Sequence, residues 1–136
     1  MLRKERAEQP GGQPGQVLMV TADATLAGAV ASELARDGLA VGHARDGREA
    51  LHRLADERPA AVVLDLEVPG VSGYRLLRVL GSDEGTEAVP VVVVSDESFQ
   101  VVREALRDGR GGPADFLRKP ATPEAVAERV REALPV

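Results

Sequence analysis

Five short runs of apolar residues alternate with segments of helical periodicity along this chain. We interpret the runs QVLMV, LAVGHA, AAVVLD, VVVVS and ADFLRK as strands at 16–20, 39–44, 60–65, 91–95 and 114–119. Nearly continuous apolar strands are typical of a parallel sheet that is covered by other elements on both faces.

The segments that follow the strands carry apolar residues at the spacing of an α-helix. Leu26, Val30 and Leu34 mark the first helix, which we expect to end at Gly38. Further helices are predicted over about 46–57, from Tyr74 to near Gly81, from Val101 to Gly109, and from Val126 to Leu134. Strict alternation of five strands and five helices predicts a doubly wound α/β fold with a five-stranded parallel sheet.

Length and composition narrow the classes of function. The 136 residues suffice for one domain, which we place at 16–136 behind a flexible, polar leader at 1–15. A net charge of -5 argues against direct binding of nucleic acid or of an anionic membrane surface. The chain has no cysteine, and its apolar runs are too short to cross a membrane. We therefore expect a cytoplasmic protein without thiol chemistry or a disulfide scaffold.

Three chemically active side chains stand where predicted strands end. Asp65 closes the third strand, Ser95 the fourth and Lys119 the fifth. Carboxyl ends of parallel strands share one edge, so we expect these groups to meet, with the Lys119 ammonium within about 4 Å of Asp65. Lys119 is one of only two lysines against 15 arginines, which favours a specific role. A carboxylate nucleophile with a hydroxyl and a fixed cation is suited to phosphoryl capture.

The segments VVLDLEVPGVSG, VVVVS and FLRKP, in this order, resemble the receiver domains of bacterial two-component response regulators. The resemblance covers about residues 16–134 and implies a flavodoxin-like sheet with strand order 2-1-3-4-5. It also implies that Asp65 is the phosphoacceptor, Ser95 the switch hydroxyl, Lys119 the site lysine and Phe116 the switch aromatic. A cis peptide bond between Lys119 and Pro120 is implied as well.

The chain departs from the family pattern after the first strand. Where the family has two acidic residues that hold Mg²⁺, this sequence has Thr21 and Ala22, and Asp23 is expected to cap the following helix. The metal would be left with the Asp65 carboxylate and the backbone carbonyl of Glu67, so we expect a weak or absent Mg²⁺ site and no bound cofactor. Asp96, where the family usually has a small residue, is expected to point toward the phosphoryl position.

These observations favour a degenerate receiver that signals through protein–protein contacts, with a histidine kinase or an output protein as partner and little or no phosphorylation. No enzymatic activity is expected beyond autocatalytic phosphotransfer to Asp65. The alternative is an ordinary phosphorelay receiver, phosphorylated on Asp65 by a histidine kinase. A small flavodoxin-like cofactor-binding domain is a lesser alternative, because TADAT at 21–25 lacks the glycine of a phosphate loop and aromatic residues are only 2%.

Overall fold

The computed structural model of the chain describes residues 16–107 and 112–134. The predicted leader at 1–15 lies outside these residues. Five parallel strands form one sheet in the order β2-β1-β3-β4-β5, which confirms the predicted architecture. The strands are β1 (Gln16–Val20), β2 (Ala40–Ala44), β3 (Ala61–Asp65), β4 (Val91–Ser95) and β5 (Asp115–Arg118).

A helix follows each strand, as the sequence pattern predicted. The helices are α1 (Ala24–Ala35), α2 (Gly47–Asp56), α3 (Gly73–Ser82), α4 (Phe99–Ala105) and α5 (Pro123–Ala133). Every helix begins with a side-chain oxygen that accepts a hydrogen bond from a backbone N–H of the first turn. Asp23 is the N-cap of α1, as predicted.

Helix α4 differs from the prediction. It ends at Ala105 rather than Gly109, where the N–H groups of Leu106 and Arg107 bond to the carbonyls three residues back, of Arg103 and Glu104, and so tighten the last turn. Val102 is buried, whereas Val101 is 48% exposed, so only part of the predicted apolar face packs against the sheet. The predicted end at Gly109 lies outside the described residues.

Alternation along the strands divides the core into two layers. In β1, Leu18 and Val20 face the layer under α2, α3 and α4, whereas Val17 and Met19 face the layer under α1 and α5. Burial of both faces explains the nearly continuous apolar strands in the sequence. No helix in 16–107 or 112–134 is long and apolar enough to span a membrane.

The connection from β3 to α3 depends on a close approach of two backbone segments. A Cβ atom on Gly73 would lie 2.5 Å from the Cα of Leu66, so only glycine fits at the first position of α3. This contact fixes the loop that follows Asp65. The carboxyl end of β3 is thereby held beside the ends of β1 and β4, at the point where the strand order reverses.

Candidate functional site

Asp65 lies at the end of β3 with its side chain only 12% exposed. Its Oδ1 accepts hydrogen bonds from the Lys119 ammonium at 2.8 Å and from the backbone N–H of Glu67 at 2.9 Å. Its Oδ2 accepts from the Thr21 hydroxyl at 3.0 Å. Both carboxylate oxygens are therefore engaged by donors from three different segments of the chain.

Lys119 joins two carboxylates. Its Nζ lies 2.8 Å from Asp65 Oδ1 and 3.0 Å from Glu67 Oε1. The peptide bond to Pro120 is cis, as the family resemblance implied. Burial alone would lower the pKa of Lys119, but the hydrogen bonds and charges of Asp65 and Glu67 outweigh burial and raise the pKa above its ordinary value. The ammonium is therefore firmly charged and shared between the two acids.

Ser95 and Phe116 occupy the adjoining strands β4 and β5. Ser95 is completely buried, and its hydroxyl donates to Glu67 Oε2 at 2.6 Å. Phe116 is half-buried, and its ring packs against that of Phe99 with centroids 5.5 Å apart. The structure thus brings Asp65, Lys119 and Ser95 to one edge of the sheet, with Ser95 linked to the other two through Glu67. The switch roles assigned to Ser95 and Phe116 remain predictions.

The side chain of Glu67 is the feature that sequence reasoning missed. The sequence suggested only a backbone carbonyl for this residue, yet its carboxylate turns back into the site. Besides Ser95 and Lys119, it accepts a hydrogen bond from the backbone N–H of Asp96 at 2.9 Å. Burial raises the pKa of Glu67, but the hydrogen bonds from Ser95, Asp96 and Lys119 outweigh burial and bring the pKa below its ordinary value. The carboxylate is therefore an ionised member of the site.

The end of β1 carries no carboxylate into this network. Thr21 is buried and donates to Asp65, while its hydroxyl oxygen also accepts from the N–H of Asp23 at 3.1 Å. The Asp23 carboxylate accepts from the N–H of Leu26, the usual bond of a helix N-cap. An open cleft above Asp65 is lined by Thr21, Asp23, Asp65, Asp96, Lys119 and Pro120. Asp96 therefore borders the space over Asp65, and the direction of its carboxylate toward the phosphoryl position stays a prediction.

A divalent metal at this edge would need oxygen ligands from the side chains around Asp65. Mg²⁺ favours near-octahedral oxygen coordination, usually with one or two carboxylates together with waters or phosphate. Within 16–107 and 112–134, no group of three or more histidine, aspartate or glutamate side chains is arranged to hold a metal ion. The Asp65 carboxylate already bears an ammonium and a hydroxyl on its two oxygens.

Comparison with known proteins identifies the family. Residues 17–131 match the family model of the response regulator receiver domain. The DNA-binding response regulator MtrA of Mycolicibacterium paratuberculosis is 33% identical over 119 residues, which cover 88% of this chain and 51% of that protein. The chain therefore spans about half the length of this curated relative.

Solved structures show the same fold. The chemotaxis response regulator CheY4 of Vibrio cholerae superimposes with a TM-score of 0.76 at 22% identity, covering 90% of this chain and all of that one. A response regulator of Burkholderia pseudomallei, solved with a phosphorylated aspartic acid, a calcium ion and citrate, gives a TM-score of 0.71 at 25% identity. That match covers 89% of this chain and 66% of the other. The chain belongs to the response regulator receiver family and is a receiver module of two-component signalling.

Proposed function

We propose that this receiver works chiefly as an interaction module and that Asp65 is phosphorylated poorly or not at all. The observation that carries the proposal is the surrounding of Asp65. The Thr21 hydroxyl holds Oδ2, at the position after β1 where receivers place an acidic pair for Mg²⁺, and the Lys119 ammonium holds Oδ1. The pocket is satisfied by hydrogen bonds and an ion pair without a metal.

The remaining oxygen donors support this proposal. Binding of Mg²⁺ to Asp65 would have to compete with the Lys119 ammonium for Oδ1 and with the Thr21 hydroxyl for Oδ2. The Glu67 backbone carbonyl is a further proposed ligand, while the Glu67 carboxylate is already held by Ser95, Asp96 and Lys119. Asp23 and Asp96 both line the cleft, but the Asp23 carboxylate caps α1. Asp65, Glu67 and Asp23 are thus carboxylates that donors of the protein already hold, and such a set suits a hard divalent cation poorly.

Loss of the metal would have a large kinetic consequence. A divalent cation contributes several kcal/mol of charge stabilisation to phosphoryl transfer. At about 1.36 kcal/mol per factor of ten, its absence slows the transfer by roughly a thousandfold or more. On this basis, phosphorylation of Asp65 would be too slow to act as the main signal, and signalling would depend on contacts with a partner.

The partner is proposed from the family rather than from this chain alone. Receiver domains act with histidine kinases and with output domains, and MtrA is by name a DNA-binding regulator about twice as long as this chain. We propose a histidine kinase or an output protein as the partner of this receiver. The net charge of -5 argues against direct contact between the receiver itself and nucleic acid.

The second candidate function is an ordinary phosphorelay receiver that is phosphorylated on Asp65. It is favoured by the convergence of Asp65, Ser95 and Lys119 at one sheet edge, with the lysine 2.8 Å from the carboxylate. The related regulator of Burkholderia pseudomallei carries a phosphorylated aspartic acid. The phosphorelay receiver needs Mg²⁺ and the interaction module does not, so a measurement of Mg²⁺ binding distinguishes the two functions.

The test is a Mg²⁺ titration followed by NMR, with and without the phosphoryl mimic beryllofluoride. The natural protein should show no saturable change at millimolar Mg²⁺, whereas the variant with Thr21→Asp and Ala22→Asp should bind the metal. Adding Asp65→Asn to that variant is the control and should remove binding. Saturable binding of Mg²⁺ and beryllofluoride by the natural protein would overturn the proposal and leave the phosphorelay receiver.

A further inference from the structure

Three hydrogen-bond donors converge on the Glu67 carboxylate from different parts of the chain. The Ser95 hydroxyl donates to Oε2 at 2.6 Å, while the Asp96 backbone N–H at 2.9 Å and the Lys119 ammonium at 3.0 Å reach Oε1. A hydroxyl, a backbone amide and an ammonium together form a site for an anionic oxygen.

We propose that Glu67 is a built-in occupant of this anion site, with its carboxylate holding the donors that a phosphoryl group on Asp65 would otherwise engage. This deepens the proposed function and rests on it. The Ser95 hydroxyl and the Lys119 ammonium are then held in an anion-bound arrangement in the unphosphorylated protein.

The position of Glu67 makes it a competitor for an incoming anion. Its own backbone N–H donates to Asp65 Oδ1, which fixes the main chain two residues beyond the candidate phosphoacceptor. Lys119 already shares its charge between the two carboxylates. A phosphoryl group on Asp65 would add negative charge beside Glu67, so the Glu67 side chain would have to leave its donors first.

The exposure of Glu67 allows such a displacement. Its side chain is 35% exposed, whereas Ser95 is completely buried and Asp65 is nearly so. The carboxylate can therefore rotate into solvent while its donors stay in place. Occupancy by Glu67 and by a phosphoryl group are alternatives at one set of donors, and their balance sets how readily an anion binds.

Hydrogen exchange of the Asp96 amide tests the contact itself in the full chain. In Glu67→Ala, the Asp96 amide loses its acceptor and should exchange about tenfold faster, which corresponds to about 1.4 kcal/mol. Glu97→Ala is the matched control, because it removes an equal charge from a neighbouring exposed side chain. The control should leave the rate unchanged. Equal rates at Asp96 in Glu67→Ala and in the natural protein would overturn the proposal.

Binding of beryllofluoride tests the competition. In the protein with Thr21→Asp and Ala22→Asp, at saturating Mg²⁺, the further change Glu67→Ala should tighten beryllofluoride binding about tenfold, or about 1.4 kcal/mol. Glu97→Ala in the same protein should not change the affinity. Unchanged or weaker binding with Glu67→Ala would contradict occupancy by Glu67.

The two proposals fail on different results. Metal-dependent phosphorylation of the natural protein overturns the impaired metal site. The exchange rate of the Asp96 amide needs neither metal nor phosphoryl donor, so it reports on the Glu67 contact whichever way the phosphorylation experiment turns out.

Discussion

At the scale of single residues, Lys119 provides the positive charge that offsets the two carboxylates of the site. Its ammonium contacts the carboxylates of Asp65 and Glu67, which otherwise lie close together with like charges. In a receiver with an acidic pair, the carboxylates of the site repel one another until a metal ion binds. Here the lysine and the Thr21 hydroxyl satisfy the carboxylate of Asp65 within the protein itself.

Replacing Lys119 should therefore destabilise the protein. Lys119→Met leaves two partly buried carboxylates without their cation, and we expect a loss of about 1–2 kcal/mol in the free energy of unfolding, discounted for partial exposure. Urea denaturation at neutral pH measures the loss. The control is Arg107→Met, which breaks the exposed Arg107–Glu104 pair and should cost less than about 0.5 kcal/mol. Equal losses in the two variants would contradict the central position of Lys119.

Tyr74 offers a spectroscopic probe of the charge on Glu67, because it is the only tyrosine and the chain has no tryptophan. Burial raises the pKa of Tyr74 above its ordinary value, and the negative charges of Glu97 and Glu67 raise it further. Neutralising Glu67 in Glu67→Gln should therefore lower the pKa of Tyr74. Absorbance titration of the tyrosinate measures the shift. Glu124→Gln, on the opposite layer of the fold, is the control and should leave the pKa of Tyr74 unchanged. An unchanged Tyr74 pKa in Glu67→Gln would contradict the placement of the Glu67 charge.

At the scale of elements, the joint between β3 and α3 holds Asp65 in position. Gly73 approaches Leu66 so closely that a side chain cannot be inserted without moving one of the two segments. Helix α1 gives the opposite case, because a Cβ on Gly28 would meet nothing within 4 Å. There is thus no room for a side chain at Gly73, whereas Gly28 has room for one.

The same substitution at these two glycines should have opposite effects. Gly73→Ala should lower the free energy of unfolding by about 1–3 kcal/mol through overpacking. Gly28→Ala should raise it by about 0.5–1 kcal/mol, because alanine favours the helix and restricts the unfolded chain. Thermal and urea unfolding measure both changes. A neutral or stabilising Gly73→Ala would show that the β3–α3 joint tolerates a side chain.

At the scale of the whole molecule, the fold could be predicted from sequence because the three central strands, β1, β3 and β4, are buried on both faces. The valines of β3 and β4 form continuous apolar runs, which are typical of a parallel sheet covered on both faces. Once the strands are placed, their ends bring Asp65, Ser95 and Lys119 to one edge. The end of α4 could not be read in this way, since Val101 looks like a core residue and yet is exposed.

The Glu67 contacts lay beyond sequence reasoning for a different reason. The strand pattern fixes where a main chain runs, but a long side chain in a loop takes its direction from the donors around it. Those donors come from the ends of β4 and β5, far from Glu67 in sequence. Only the assembled sheet brings Ser95 and Lys119 to the carboxylate.

Intact mass spectrometry shows whether this receiver lacks efficient metal-dependent phosphorylation. The natural protein and the variant with Thr21→Asp and Ala22→Asp are incubated with millimolar Mg²⁺ and acetyl phosphate, with Asp65→Asn as the control for the site of modification. We expect the mass of a single phosphoryl group on the restored variant and no phosphoryl group on the natural protein. Rapid Mg²⁺-dependent phosphorylation of Asp65 in the natural protein would instead identify an ordinary phosphorelay receiver.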